Sequence, residues 1–171
     1  MTEEEKGLLT NVGVTLLIVQ STEKLLRFVL QHCLPGSEAV SLEDLERSDE
    51  KMRKKTLGQF LGILRERVDL DDQFDAILST FLDCRNILAH RIEEIPGWNL
   101  YTSDGQKAGN NFLNRTTEAA MFITKIFAGL MSAWSKQVGL EGAVTKEEKK
   151  WLAEIDARYT PAVDTIFFKK V

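Results

Sequence analysis

A short polar segment in the middle of the 171-residue chain contains side chains whose types and spacing suit acid–base chemistry. It reads DCRNILAHR at positions 83–91, where the apolar spacing predicts the end of an amphipathic helix. Asn86 and His90 are four residues apart and share a helix face, whereas Arg85 is rotated by about 140° from His90. Only the long Arg85 side chain, or an arginine from a second protomer, would bring a guanidinium to the same place.

These residue types suit proton transfer beside a bound phosphate group. Histidine is the side chain that both takes up and releases a proton near neutral pH. An arginine fork holds a phosphate through two hydrogen bonds and stabilises the charge that builds on its oxygens. The alternative is structural, because helix C-termini favour arginine and histidine through the helix dipole.

The elements that must position this segment are predicted to be helices. The chain has only three prolines, its apolar residues recur with helical spacing, and no stretch alternates as a half-buried strand would. The pattern predicts helices over 3–33, 42–67 (with an interruption near 56–58), 71–94, 110–137 and 146–157, a loop over 96–109 and a short final piece through 167–170. The predicted fold class is therefore all-α, most simply an antiparallel bundle of about five helices. Residues 1–171 are predicted to form a single domain.

Four helix starts are indicated by a Ser, Thr or Asp that is followed three residues later by an acidic residue. The pairs are Thr2 with Glu5, Ser41 with Asp44, Asp69 with Asp72, and Thr145 with Glu148. Such pairs satisfy the unpaired N–H groups of a first turn and place negative charge at the positive end of the helix dipole.

Residues 55–61, KTLGQFL, followed by a helix that ends RNILAH at 85–90, resemble the HEPN superfamily of small helical-bundle proteins. The motif of that superfamily is an Arg, about four to six residues and a His, often with Asn directly after the Arg. The resemblance implies a metal-independent endoribonuclease that acts as a homodimer, of the toxin or antiviral abortive-infection type. It makes Arg85 and His90 the catalytic pair and Asn86 the positioning residue. One HEPN subgroup, silenced by a nucleotidyltransferase antitoxin, has a Tyr where this chain has Ile92, so that regulation is not expected.

Four further residues are predicted to contact the RNA substrate: Arg91, Lys54, Lys55 and Trp98. Arg91 adds a cation beside His90, and the two lysines belong to a basic cluster that would guide RNA phosphates. The alternative for the lysines is a solvated helix face balanced by the acidic residues before it. Trp98, like Tyr101, would stack on bases, and the alternative is that these rings anchor their loop to the helices.

Composition and charge exclude several other classes of protein. The net charge of −4 excludes a general DNA-coating protein, which needs a broad basic surface. The two cysteines, Cys33 and Cys84, are too few and too far apart for a zinc knuckle or a disulfide scaffold. No phosphate-binding loop, dinucleotide fingerprint or nucleophile elbow is present, so neither a cofactor nor a metal site is predicted. The acidic N-terminus and the short apolar runs predict neither a signal peptide nor a membrane span, and hence a cytoplasmic protein.

Two functions stay open at this point. The first is a ribonuclease effector that is paired with an antitoxin or a defence partner. The second is a non-catalytic HEPN-like interaction module that binds a protein or a nucleotide and uses Arg85, Asn86 and His90 for dimer contacts or for ending a helix.

Overall fold

A computed structural model describes residues 1–34, 55–137 and 146–169 of the chain. Within these ranges the elements, in order, are α1 (Glu3–His32), α2 (Leu57–Arg67), β1 (Val68–Leu70), α3 (Asp72–His90), a 3-10 turn (Ile92–Glu94), α4 (Ser103–Gln137), α5 (Lys146–Arg158), α6 (Thr160–Ile166) and β2 (Phe167–Lys169). The all-α class is confirmed. In the described part of the chain, no helix has both the length and the apolar character to cross a membrane.

The predicted start of α1 is confirmed, because Thr2 and Glu5 cap it reciprocally. The Thr2 N–H donates to Glu5 Oε2 at 2.8 Å, and the Glu5 N–H donates to the Thr2 hydroxyl at 3.2 Å. Thr56 and Gln59 form the same reciprocal cap at the start of α2. A helix therefore starts where the interruption of the predicted helix 42–67 was expected, and the part of that prediction before residue 55 lies outside the described residues. The starts predicted at Ser41 and Thr145 lie outside the described residues.

The start predicted at Asp69 is wrong. Asp69 lies in β1, and α3 is capped by Asp71, whose Oδ1 accepts the N–H groups of Gln73 and Phe74, both at 3.0 Å. A cap needs its side-chain oxygen next to the second and third residues of the helix, and Asp71 is the aspartate that directly precedes the first turn. The sequence pattern indicated Asp69, whereas the capping aspartate is Asp71, two residues later.

The predicted loop over 96–109 is too long, because α4 begins at Ser103. The hydroxyl of Thr102 accepts the N–H of Gly105 at 3.2 Å and so caps the first turn. A Cβ on Gly105 would overlap the backbone of Asn99. Gly105 is therefore needed for close packing of the loop on the helix, whereas the sequence pattern treated the glycines of this segment as loop residues.

The expectation of no strands is also wrong in detail. β1 and β2 pair antiparallel, with Val68 opposite Lys169 and Leu70 opposite Phe167. The Asp71 N–H extends this pairing by donating to the carbonyl of Ile166 at 3.0 Å. A strand of three residues is too short to show the alternation on which strand prediction depends.

The chain divides into two compact units, one of Met1–Thr22 with Ala76–Ile123 and one of Glu23–Asp75 with Thr124–Val171. The prediction of a single domain stays a prediction. In the first unit the contacts between α1 and α4 advance together along both helices, which therefore run in the same direction. They join Asn11 Nδ2 to Asn110 Oδ1 at 2.8 Å, the hydroxyls of Thr15 and Thr117 at 3.2 Å, and the Thr22 hydroxyl to the Ala120 carbonyl at 3.4 Å.

The second unit contains a cluster of three phenylalanine rings. Phe74 of α3 lies 6.1 Å from Phe127 of α4, and both rings contact Phe167 of β2, at 5.7 and 5.9 Å between centroids. Phe74 and Phe127 are almost completely buried. Burial of two such rings stabilises the unit by roughly 1.5–3 kcal/mol each, so this cluster holds β2 against the two helices.

Candidate functional site

The polar segment lies at the C-terminal end of α3. Phe81 and Leu88 on the inner side of the helix are buried, which holds this end of the helix in the first unit. His90 is the last helical residue, and the backbone of Arg91 has left the helical region at φ −149° and ψ 44°. The prediction that this helix extends to Glu94 is therefore wrong, because the chain continues in a 3-10 turn. As a result His90 is exposed at a helix end.

The side chain of Arg85 bridges the two residues that share the polar face. Its Nη1 lies 3.2 Å from Asn86 Oδ1 and 3.3 Å from His90 Nε2. Arg85 and Asn86 are half-buried, whereas His90 is exposed. Although Arg85 lies on a different side of the helix from His90, its side chain is long enough to reach it. This contact therefore forms within one chain and needs no second protomer. We call Arg85, Asn86 and His90 the α3-end cluster.

The neighbouring thiol of Cys84 is not suited to act as a nucleophile at neutral pH. Burial raises its pKa, a hydrogen bond with Thr116 partly offsets this effect, and the Asp83 carboxylate raises the pKa further. The net shift is upward from the ordinary value of 9.0. Since the thiolate is the reactive form of cysteine, the groups of this segment that suit catalysis are those of the α3-end cluster.

Arg91 forms an ion pair with Glu94, which was not among the residues predicted for the site. Its Nη1 lies 3.0 Å from Glu94 Oε2, and both side chains are about half exposed, at 49% each. Ion pairs this exposed are worth roughly 0–1 kcal/mol, so an incoming phosphate can compete for Arg91. The spacing of three residues between Arg91 and Glu94 could have predicted this ion pair from the sequence.

Trp98 lies against Gly109 of α4, and its ring is half-buried. In contrast, Tyr101 in the same loop is 80% exposed. Of the two predicted lysine contacts, Lys55 is half-buried just before α2 in the second unit, and Lys54 lies outside the described residues. The structure thus brings together Arg85, Asn86 and His90 among the predicted site residues.

No protein-family model matches the chain, and no curated protein or solved structure matches it either. Over residues 1–34, 55–137 and 146–169, no group of three His, Cys, Asp or Glu side chains could hold a metal ion. What the α3-end cluster offers is a half-buried cation held beside an exposed imidazole. Such a pair can bind an anion and move a proton at neighbouring atoms.

Proposed function

We propose that this protein is a metal-independent endoribonuclease built on a HEPN-like helical bundle and active as a homodimer. The observation that supports this function is the contact of Arg85 Nη1 with both Asn86 Oδ1 and His90 Nε2. In this proposal Arg85 binds the phosphate and His90 transfers the proton, and the two side chains lie within hydrogen-bonding distance of each other. General acid–base catalysis by one positioned group contributes roughly 10²–10⁴-fold to a rate.

In the proposed reaction His90 removes the proton from a ribose 2′-OH. The 2′-oxygen then attacks the adjacent phosphorus, and the bond from phosphorus to the 5′-oxygen breaks. The products are a 2′,3′-cyclic phosphate and a new 5′-OH, whose proton comes from the second copy of His90 in the dimer. Arg85 stabilises the negative charge that builds on the non-bridging phosphate oxygens.

The charge of the chain sets the mode of RNA binding in this proposal. With a net charge of −4, we expect the protein to attract RNA only locally, through Arg85 and Arg91 of the first unit, with Trp98 near the bases. Contacts of RNA with Lys54 and Lys55 stay predictions from the sequence. Binding that depends on a few cations is weak and falls steeply with salt concentration. We therefore expect cleavage of single-stranded RNA to be inhibited by moderate salt.

The decisive experiment incubates the purified protein with single-stranded RNA in EDTA. The wild type should cleave it and leave cyclic phosphate ends, while His90→Ala and Arg85→Ala should each lose most of the activity. Two variants serve as matched controls. His32→Ala removes the other histidine of the chain, whose ring lies 4.8 Å from that of Phe28, and Arg158→Ala removes an exposed arginine paired with Glu154. Equal cleavage by the wild type and His90→Ala would contradict the proposal.

The dimer and the cellular role need tests of their own. Sedimentation should show a dimer at micromolar concentration, and a monomer would contradict the mechanism with two histidines.

Expression should arrest growth, and His90→Ala should relieve the arrest, as expected for an effector with an antitoxin or a defence partner. A folded dimer that cleaves no RNA would instead support the alternative, an interaction module that binds a protein or a nucleotide.

A further inference from the structure

The contact between Arg85 and His90 allows only one placement of the hydrogen atoms. A guanidinium is charged throughout the accessible pH range, and its nitrogens only donate hydrogen bonds. Arg85 Nη1 lies 3.3 Å from His90 Nε2, within hydrogen-bonding distance. For these two nitrogens to attract each other, Nε2 must present its lone pair to the arginine.

A neutral imidazole whose Nε2 accepts a hydrogen bond has its hydrogen on Nδ1. An imidazolium would instead bring a second donor and a second positive charge against the guanidinium. We infer that Arg85 holds the neutral His90 ring in the Nδ1–H tautomer, with the lone pair of Nε2 directed at Nη1. Histidine side chains in water favour the opposite tautomer, so this assignment differs from the state of an isolated ring.

Asn86 contributes to this tautomer through the arginine. Nη1 has two hydrogens, and the second contact of that nitrogen is with Asn86 Oδ1 at 3.2 Å. The amide oxygen therefore orients the same Nη1 that faces the imidazole, although Asn86 follows Arg85 directly in the chain. Asn86 is thus a positioning residue for the Arg85 guanidinium and, through it, for the hydrogen of His90.

For the reaction, the inference rests on the proposed function and makes it more specific. In the copy of His90 that acts as the base, Nε2 takes up the 2′-OH proton when the phosphate draws Arg85 Nη1 away from its lone pair, and Nδ1 keeps its hydrogen. The copy that donates to the 5′-oxygen is an imidazolium, so the tautomer assignment concerns the neutral ring. Without a partner for Nε2, part of the population would have that nitrogen protonated and unable to act as a base. Arg85 therefore contributes before RNA binds, by selecting the reactive form of the ring.

The test is nitrogen NMR of the imidazole in ¹⁵N-labelled His32→Ala protein, in which His90 is the remaining histidine. The spectrum is recorded at alkaline pH, so that the ring is neutral. A nitrogen with a free lone pair resonates far downfield of a nitrogen that bears hydrogen. We expect Nε2 to give the downfield signal and Nδ1 the upfield signal. The opposite assignment would overturn the inference.

Three variants identify the cause of the tautomer. Arg85→Ala and Asn86→Ala should each move the two signals towards one another, as the Nε2–H form gains population. Arg91→Ala, which removes the neighbouring arginine whose contact is with Glu94, should leave both signals in place. Unchanged signals in Arg85→Ala would also overturn the inference. If Arg85→Ala does not fold, the parent spectrum and Asn86→Ala still decide the question.

The NMR experiment tests the tautomer assignment and the RNA assay tests the proposed function, so either claim can be contradicted without the other. A ring in the Nδ1–H form in a protein that cleaves no RNA would contradict the proposed function and leave the tautomer assignment standing. An active ribonuclease whose neutral ring bears its hydrogen on Nε2 would contradict the tautomer assignment alone.

Discussion

The indole ring of Trp98 lies directly against Gly109 in the second turn of α4. A Cβ added to Gly109 would be 2.7 Å from Trp98 Cζ3 and 3.2 Å from a methyl group of Leu8. The chain reaches this position through Gly97, whose φ of 77° favours glycine, and the Trp98 N–H donates to the Ile95 carbonyl at 2.9 Å. This contact attaches the loop that follows the α3-end cluster to the start of α4.

Replacing Gly109 should destabilise the protein. In Gly109→Ala the new methyl group must displace the Trp98 ring, and overpacking of this kind costs about 1–3 kcal/mol of unfolding free energy. This cost is expected to exceed the gain of about 0.5–1 kcal/mol that alanine brings within a helix. Gly13→Ala is the matched control, because Gly13 also lies within a helix but has no atom near its Cβ position. That substitution should stabilise the protein by about 0.5–1 kcal/mol through helix propensity. Urea unfolding measures both, and the same sign for the two variants would contradict the packing argument.

Substitutions of two aromatic residues in this loop should distinguish an effect on RNA binding from an effect on folding stability. Tyr101 is 80% exposed, so Tyr101→Ala should weaken RNA binding and leave the unfolding free energy unchanged. Stacking of one base on an aromatic ring is worth about 1–3 kcal/mol. Trp98→Ala should lower the unfolding free energy as well, because its ring packs on Gly109. Fluorescence anisotropy with labelled single-stranded RNA and urea unfolding give the two quantities. Equal RNA affinity of Tyr101→Ala and wild type would contradict the stacking role.

Asp156 should contribute to stability in a pH-dependent way. Desolvation raises its pKa, but hydrogen bonds from Lys136, Ser132 and Thr160 outweigh that effect and lower the pKa below its ordinary value of 3.8. A lowered pKa in the folded state means that this stabilisation is present above the unfolded value and is lost as the pH falls through the folded value. The unfolding free energy of Asp156→Asn should therefore fall less than that of the wild type between about pH 7 and about pH 3.

The control for this comparison is Asp104→Asn. Asp104 is 98% exposed, and its nearest cation, Lys107, is 3.7 Å away. Urea unfolding at each pH gives the pH dependence of a variant that lacks one aspartate outside the hydrogen bonds of Asp156. If Asp156→Asn behaved as Asp104→Asn does, the hydrogen bonds to Asp156 would have no part in acid stability.

Cys33 should react slowly with alkylating reagents. Burial raises the pKa of its thiol from 9.0 to about 12, so the thiolate fraction near neutral pH falls by about 10³-fold. In a Cys84→Ser background, iodoacetamide should modify native Cys33 far more slowly than the same residue in urea. Mass spectrometry follows the modification, and equal rates in the two solvents would show that the thiol is accessible in the folded chain.

The long helices could be predicted from sequence, while the short elements could not. The spacing over 3–33 closely matches α1, because a long amphipathic pattern and the Thr2 cap agree. The start of α4 was missed since Gly105 was treated as a loop residue, although it serves close packing against Asn99. β1 and β2 depend on pairing between distant parts of the chain, which no local pattern contains.

For the α3-end cluster, sequence could place residues on helix faces but could not choose side-chain conformations. The spacing of Asn86 and His90 predicted that they share a helix face. For the arginine it allowed two alternatives: the long side chain of Arg85 itself, or an arginine from a second protomer. The rotamer that brings Nη1 to both partners depends on how the half-buried arginine packs, which requires a three-dimensional structure.

The pairing of β1 with β2 also has a consequence for how the chain reaches its folded state. It joins Val68 to Lys169, so the intervening segment must be closed into a loop before these strands gain any pairing energy. Helical proteins as a class fold quickly because most of their contacts are local in sequence, whereas contacts of high sequence separation slow folding. Folding is therefore expected to be slower than that of a helical protein whose contacts are all local, because both this strand pair and the contacts of α1 with α4 join distant parts of the chain.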